Sequence, residues 1–221
     1  MQSKKIIGLT GTYCSGKNFI AAILEQHGLP VLDVDRLGYL ALEEKKDAVF
    51  ARFGFDLKTT TVNADGSEVE TINRRLLGKR VFGKPAEMAA LELLIHPVVN
   101  RLSEEWISSQ KGTCVVNAAV LHKSSIFNTL DFIIVVTAPF FTRLRRAHLR
   151  DKLSVPQLLR RFTSQKGFTT QYLSGKADIY KVENPGLPLK AGKKSTGIGT
   201  DNISSKLEHR IDEILSAEGI K

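Results

Sequence analysis

Cysteine is scarce: the 221 residues hold two, Cys14 and Cys114, 100 positions apart and without histidines or further cysteines at metal-ligand spacing. That excludes a disulfide scaffold and a structural zinc site, and it predicts free thiols in a reducing compartment. Long apolar runs are missing too. The longest, Phe132 to Phe141, is interrupted by Thr137 and Pro139 and is half of what a membrane-crossing helix requires, on the order of 20 residues. The start, Met1 to Gly11, has lysines followed by a short apolar run broken by Gly8, shorter than the apolar region of a secretory signal. These absences predict a cytoplasmic chain with no membrane partner. Aromatic residues make up only 7%, and the basic segments interleave almost none beyond Phe162 and Phe168. A nucleic-acid surface built on base stacking needs more, which argues against nucleic acid as a partner. Acidic residues are outnumbered by basic ones, 23 against 32, for a net charge of +9. The natural partners are therefore anions, and phosphorylated small molecules are the class left standing.

Hydrophobic residues at 42% and charged residues at 25% are ordinary for a folded chain with a sizeable core. At about 150 residues per domain the length predicts one domain plus an elaboration. Ile6 to Leu9 reads as a short buried strand, a glycine-rich turn follows, and Ile20, Ile23, Leu24 and His27 recur at helical spacing before Gly28. Val31 to Asp35 reads as a second strand. A strand, loop, helix, strand unit favours a parallel sheet covered by helices, and Cys114–Leu121 and Phe132–Ala138 read as further buried strands of it. Residues 36–110 read as mostly helical, with a polar hairpin-like break at Asn63-Ala64-Asp65-Gly66, a helix start at Pro85 and a mid-helix His96-Pro97. A basic helical segment follows the last core strand. Ser154-Val155-Pro156 caps a second helix that ends near Gln165. Gly186–Thr200, rich in Gly and Lys, reads as a mobile loop, and Ile203, Leu207, Ile211 and Leu215 space out a C-terminal amphipathic helix.

Gly11-Thr12-Tyr13-Cys14-Ser15-Gly16-Lys17-Asn18 matches G-x-x-x-x-G-K and departs at the last position, where Ser or Thr is expected. The glycines let backbone N–H groups fold inward around an anion, and Lys17 neutralises phosphoryl charge. The alternative is an ordinary glycine-rich strand-to-helix turn; the apolar strand before the loop and the helix after it favour the phosphate site. The usual hydroxyl is a direct Mg²⁺ ligand, whereas Asn18 offers a neutral carbonyl oxygen on a longer arm, so Mg²⁺ is expected to be held weakly or through water. Cys14, near Lys17 and a helix N-terminus, is either a thiol pulled towards thiolate or a loop residue without redox function.

Asp33 and Asp35 stand two apart at the end of the second strand, which places both side chains on one side at the C-terminal edge of the sheet. A carboxylate there can accept a proton from an attacking hydroxyl and orient it in line with a γ-phosphate. The competing reading makes the pair turn caps or partners of Arg36.

From Ile6 to about Asn184 the chain resembles the dephospho-coenzyme A kinases, P-loop kinases of the nucleotide-kinase-like group. The resemblance rests on an ordered set: Gly8-Leu9-Thr10-Gly11, Val31-Leu32-Asp33-Val34-Asp35, Asp65-Gly66, Arg80-Val81-Phe82, Leu94-Ile95-His96-Pro97, Ile134-Val135-Val136, Arg146, Arg150-Asp151, Gln165 and Ala177-Asp178. It implies a three-layer α/β P-loop fold in which residues 1–200 form the kinase domain, with core segments 1–35 and 113–142. A helical acceptor-binding insertion then occupies about 36–110, a basic lid about 143–170, and a helix packing on the core 201–221. It implies transfer of the γ-phosphoryl group of ATP, with Mg²⁺, to the ribose 3′-hydroxyl of dephospho-CoA. In that comparison Asp35 matches the base, Lys17 the phosphate lysine, Thr10 an active-site hydroxyl and Arg146 an arginine contacting the transferring phosphate. Asp33 and His96 fall on the acceptor side; a lone helical histidine is otherwise a packing residue. The basic lid residues, read without the resemblance, are a solvated helical face. Two departures stand out: Asn18, and Ala119-Val120-Leu121-His122-Lys123 where the family has Pro-Leu-Leu followed by Glu. A kinase of the same fold for a nucleoside monophosphate or another small alcohol is the nearest alternative, and a nucleotide-sensing nucleic-acid-binding protein with little turnover the more distant one.

Overall fold

A computed structural model describes residues 3–62, 65–163, 172, 176–186 and 198–220, the last group without side chains before residue 203. The chain divides into two compact units, Met1–Asp33 together with Ile107–Lys221, and Val34–Trp106.

The first unit is built on five parallel strands: β1 (Ile6–Gly11), β2 (Val31–Asp33), β5 (Cys114–Asn117), β6 (Phe132–Thr137) and β7 (Asp178–Glu183), in the spatial order β2-β5-β1-β6-β7. The central strands are buried on both faces, which is why they read as unbroken apolar runs. Parallel pairing aligns their C-terminal ends, so Gly11, Asp33, Asn117 and Thr137 close one edge of the sheet. Open parallel sheets bind ligands at this edge. Helix α1 (Lys17–Gln26) buries Ile20, Ala21, Ile23 and Leu24 along one stripe. It ends where Gly28 adopts φ 76°: Leu29 N–H donates to Leu24 and Gly28 N–H to Glu25, the paired bonds of a glycine C-cap. Helix α8 (Ile198–Ala217) adds Leu207, Ile211, Ile214 and Leu215 to the same core. The architecture is the three-layer P-loop fold.

In this unit α6 (Phe140–Asp151) and α7 (Val155–Thr163) follow β6. Helix α7 opens with Ser154, whose backbone N–H and hydroxyl both donate to Gln157 Oε1, at 3.1 and 3.0 Å. The last seven residues of the 143–170 segment, Gln165 among them, and most of the Gly186–Thr200 loop lie outside the described residues. The loop's final residues, 198–200, are helical and belong to α8.

The second unit holds α2 (Val34–Glu44), α3 (Lys46–Phe53), the antiparallel pair β3 (Lys58–Val62) and β4 (Glu68–Ile72), α4 (Arg74–Val81) and most of α5 (Pro85–Ser109). Its own core gathers Val49, Phe50, Phe53, Leu57, Leu77 and Val81. The polar break is thus a true hairpin, with its Asp65–Gly66 side described. Asp65 accepts from Ser67 N–H at 2.9 Å, and Gly66 takes φ 83°. Helix α4 starts at Asn73, whose side chain accepts from Leu76 N–H.

Three expectations need correction. Strand β2 stops at Asp33, and Asp35 already lies in the first turn of α2. The period-two alternation that would set both carboxylates on one side therefore does not extend to Asp35, because a helical residue turns by about 100°. Strand β5 ends at Asn117, four residues before Leu121, level with Asp33, the last residue of its neighbour β2. Strand β7 adds a fifth strand that the apolar pattern does not announce.

Candidate active site

The segment from Gly11 to Asn18 wraps between the end of β1 and the start of α1. Thr12 N–H donates to Val136 O at 3.2 Å, which ties the loop to β6, and Ser15 N–H returns to Thr12 O at 2.9 Å. Gly16, the residue before α1, has φ 92°, and a Cβ there would collide with the Asn184 side chain. At Gly11 a Cβ would stand 2.6 Å from both Ser15 Oγ and Val136 O. Both glycines are thus demanded by close approach. Cys14 adopts φ 59° without being glycine, a conformation that costs on the order of 1 kcal/mol for an L residue. Left-handed residues interspersed along a loop turn successive N–H groups to one side, making an anion cradle. Lys17 is the first residue of α1, half-buried.

Three oxygens around this loop are buried and, among the described residues, unpartnered: Thr12 Oγ1, Ser15 Oγ and Asn117 Oδ1. Leaving such groups unpaired costs about 1–3 kcal/mol each, so the loop is built to receive hydrogen-bonding groups. Asn117 ends β5 at 2% exposure, and its Nδ2 donates to Asn18 Oδ1 at 3.3 Å. Asn18 is therefore drawn towards the sheet edge by an amide that composition gave no reason to single out. A polar residue closing an otherwise apolar strand was the available signal.

Arg146, on α6, donates from Nη1 to Ser15 O at 2.9 Å and Cys14 O at 3.3 Å, and from Nη2 to Asn184 Oδ1 at 3.1 Å and to Gly186 O. Burial lowers its pKa, leaving it a cation. Asn184, directly after β7, bonds back to Thr137 O through its N–H at 2.7 Å and is 5% exposed. The structure thus brings Arg146 to the loop, against its carbonyl groups, and adds Asn184, which sequence reasoning missed.

The tip of the loop is clamped to the basic helices. Tyr13 hydroxyl donates to Asp151 Oδ2, Arg161 Nη1 reaches both Tyr13 Oη at 3.2 Å and Asp151 Oδ2 at 3.3 Å, and Arg150 Nε donates to Asp151 Oδ1 at 2.7 Å. Phe162 meets the Tyr13 ring edge-on at 5.4 Å. The Arg150 hydrogen bond holds the Asp151 carboxyl below its ordinary range, and burial, then the bond to Asp151, pushes the Tyr13 phenol up. Arg143 stacks over Phe162 at 4.9 Å with its Nε buried and unpartnered among the described residues. Burial also pushes the Cys14 thiol up despite Arg150, Arg146 and Arg143 nearby. Of the two readings of Cys14, this supports the loop residue without redox function: desolvation outweighs the cations. Both Cys14 and Cys114 are free thiols.

Thr10 is fully buried, with its hydroxyl 3.2 Å from Tyr172 Oη. Asp33 is half-buried at the end of β2. In the second unit Asp35 is exposed at the start of α2, and His96 is half-buried in α5 beside Pro97. Among the described residues no three His, Cys, Asp or Glu side chains gather as a metal cage, and no helix is long and apolar enough to cross a membrane.

A family model for dephospho-CoA kinase matches residues 5–180. The dephospho-CoA kinase of Treponema pallidum is 30% identical over 200 residues, 86% of this chain and 91% of that protein. A crystal structure from Thermus thermophilus aligns at a TM-score of 0.70 with 28% identity, covering 96% of this chain and 98% of that one. The dephospho-CoA kinase of Campylobacter jejuni aligns at a TM-score of 0.55 with 21% identity over 96% and 97% of the two chains, a likeness of fold.

Proposed function

The chain belongs to the dephospho-CoA kinase family, and on that premise we propose that it transfers the γ-phosphoryl group of ATP to the ribose 3′-hydroxyl of dephospho-CoA, giving coenzyme A and ADP in the cytoplasm. The observation that carries this reading is the wrapped Gly11–Asn18 loop with its buried, unpartnered oxygens and the Arg146 cation bound to it. The loop N–H groups and Lys17 hold the β and γ phosphates. Arg146, fixed on the Cys14 and Ser15 carbonyls, supplies positive charge where the transferring group spreads negative charge over its oxygens. Asp35 orients the acceptor hydroxyl and takes its proton as the oxygen attacks phosphorus. Thr10 contributes a hydroxyl at the base of the loop. The Val34–Trp106 unit, with Asp35 and His96, receives the acceptor, and Asp33 stands on the acceptor side of the sheet edge; α6 and α7 form the lid.

Mg²⁺ belongs to this reading as the ion that accompanies the nucleotide. The donor set fits such an ion: Asn117 Oδ1 is a buried oxygen without a partner among the described residues, Asp33 ends the neighbouring strand, and Asn18 Oδ1 is bonded to the Asn117 side chain. These are hard oxygen donors, the kind Mg²⁺ accepts, though two are neutral. When bound, the ion neutralises charge on the phosphates.

The test is ADP release with ATP, Mg²⁺ and dephospho-CoA, run beside a panel of nucleoside monophosphates and small alcohols. The expected result is turnover with dephospho-CoA well above the panel. Preference for a nucleoside monophosphate would overturn the acceptor assignment, and absence of all turnover would overturn the kinase.

A further inference from the structure

Tyr172 is fully buried at the C-terminal end of β1, 162 residues from the threonine it touches. Its ring meets His122 edge-on at 5.4 Å and Phe127 at 6.0 Å. Its oxygen lies 3.2 Å from Thr10 Oγ1 and 3.4 Å from His122 Nδ1, and the backbone N–H groups of Leu121 and His122 also donate to it. Packing alone would be met by the ring. Burying a phenol hydroxyl is costly unless it is paired, on the order of 1–3 kcal/mol, and here the pairing groups are those at the base of the phosphate loop.

The phenol oxygen lies within hydrogen-bond reach of Thr10 Oγ1 and His122 Nδ1, with Thr10 the nearer, and either hydroxyl of the Thr10–Tyr172 pair can donate. In either sense the bond restricts the rotation of the Thr10 hydroxyl. Thr10 immediately precedes Gly11, where the loop begins. We propose that Tyr172 is a positioning residue for phosphoryl transfer, fixing the orientation of the Thr10 hydroxyl at the base of the loop; the inference rests on the kinase reading above. Burial raises the phenol pKa, so the group stays protonated throughout the neutral range. Leu121 and His122, whose backbone groups it meets, belong to the segment that departs from the family pattern.

The experiment is a double-variant cycle on steady-state kinetics with ATP and dephospho-CoA. Tyr172→Phe keeps the ring and removes the hydroxyl. It is expected to lower kcat by about tenfold, the rate equivalent of one hydrogen bond, with KM for ATP changed less than about twofold. Thr10→Val should lower kcat at least as much, and adding Tyr172→Phe to it should cause no further loss, because the phenol acts through Thr10. Thr10→Ser, which keeps the hydroxyl, should restore both the rate and the sensitivity to Tyr172→Phe. Wild-type kcat in Tyr172→Phe, or losses that multiply in the double variant, would overturn the proposal. A rise in KM for ATP with kcat intact would do the same. Wild-type protein without turnover would instead overturn the kinase reading on which it stands.

Discussion

Charge is organised differently in the two units. Beside the phosphate loop, Asp151 is 18% exposed and accepts from Tyr13, Arg150 and Arg161 together, while Arg146 spends its two terminal nitrogens on four oxygens. In the Val34–Trp106 unit the pairs are open: Arg80 with Asp56, Arg101 with Glu44 and Lys58 with Glu70 leave their carboxylates 57%, 42% and 42% exposed. Exposed pairs of that kind are screened by solvent and contribute little to stability. The same unit carries an open groove of about 950 Å³ lined by Tyr39, Leu40, Thr59, Val69 and Arg74 among others. The phosphate end is preorganised by side chains that hold one another, and its electrostatics come without further ordering. The Val34–Trp106 unit leaves these charged pairs in water, where ordering them falls to whatever binds.

The largest effects should fall on the two residues that represent these ends. Lys17→Ala is expected to lower kcat/KM on the order of 10³-fold and to weaken ATP binding as well, since its charge acts on ground and transition states alike. Asp35→Asn should lower kcat roughly 10²–10⁴-fold while ATP affinity holds, because in the proposed mechanism the carboxylate acts on the acceptor. Kinetics paired with ATP titration separates them. Equal loss of ATP affinity in both variants would erase the contrast.

A smaller effect sharpens the preorganised side. Tyr13→Phe removes a hydrogen bond to a carboxylate, worth about 1.5–3 kcal/mol, and should lower Tm by several degrees and speed proteolysis within α6 and α7. Asp151→Asn should behave alike at neutral pH. Because its folded pKa is lowered, Asp151 contributes stability that is complete above its ordinary value of about 3.9 and is lost as pH falls through the folded value. The stability gap between wild type and Asp151→Asn should therefore close in acid. A gap that is constant with pH would assign the clamp to packing.

The smallest effect concerns Asn18. Its amide oxygen accepts from Asn117, and a longer neutral arm suits octahedral Mg²⁺ less well than a hydroxyl. Asn18→Ser should lower the Mg²⁺ concentration for half-maximal turnover severalfold, with KM for dephospho-CoA unchanged. Calorimetric titration of ATP with and without Mg²⁺ should show a larger Mg²⁺ dependence in the variant. Superimposable curves would show that Asn18 and Ser are equivalent here.

The phosphate loop was legible because its signal is local: glycines at fixed spacing, a lysine at the helix start and an apolar strand before it. Strand β7 was not. Asp178–Glu183 alternates in exposure, buries only Val182 fully and pairs on one side alone, so its sequence lacks the apolar run of its neighbours. The spacing of Asp33 and Asp35 misled because β2 is three residues long and the period changes between them. Tyr172, Asn117 and Asn184 act through partners 162, 99 and 38 positions away. No window of sequence contains both halves of such a contact.

Strand β1 sits between β5 and β6, and its residues pair with positions more than a hundred further along, as in Ile6 with Cys114 and Ile7 with Phe132. On a ribosome it is therefore made first and must wait with both edges open. Meanwhile Val34–Trp106, contiguous in sequence and with its own core, can condense. Loop-closure entropy must be met before β1 gains either neighbour, which predicts slow folding for this half and a period when an apolar strand with two bare edges is exposed. The loop that cradles phosphate takes shape only after β6 emerges, since Thr12 leans on Val136. Nucleotide cannot serve as a template for early folding; it can only hold a sheet that has already closed.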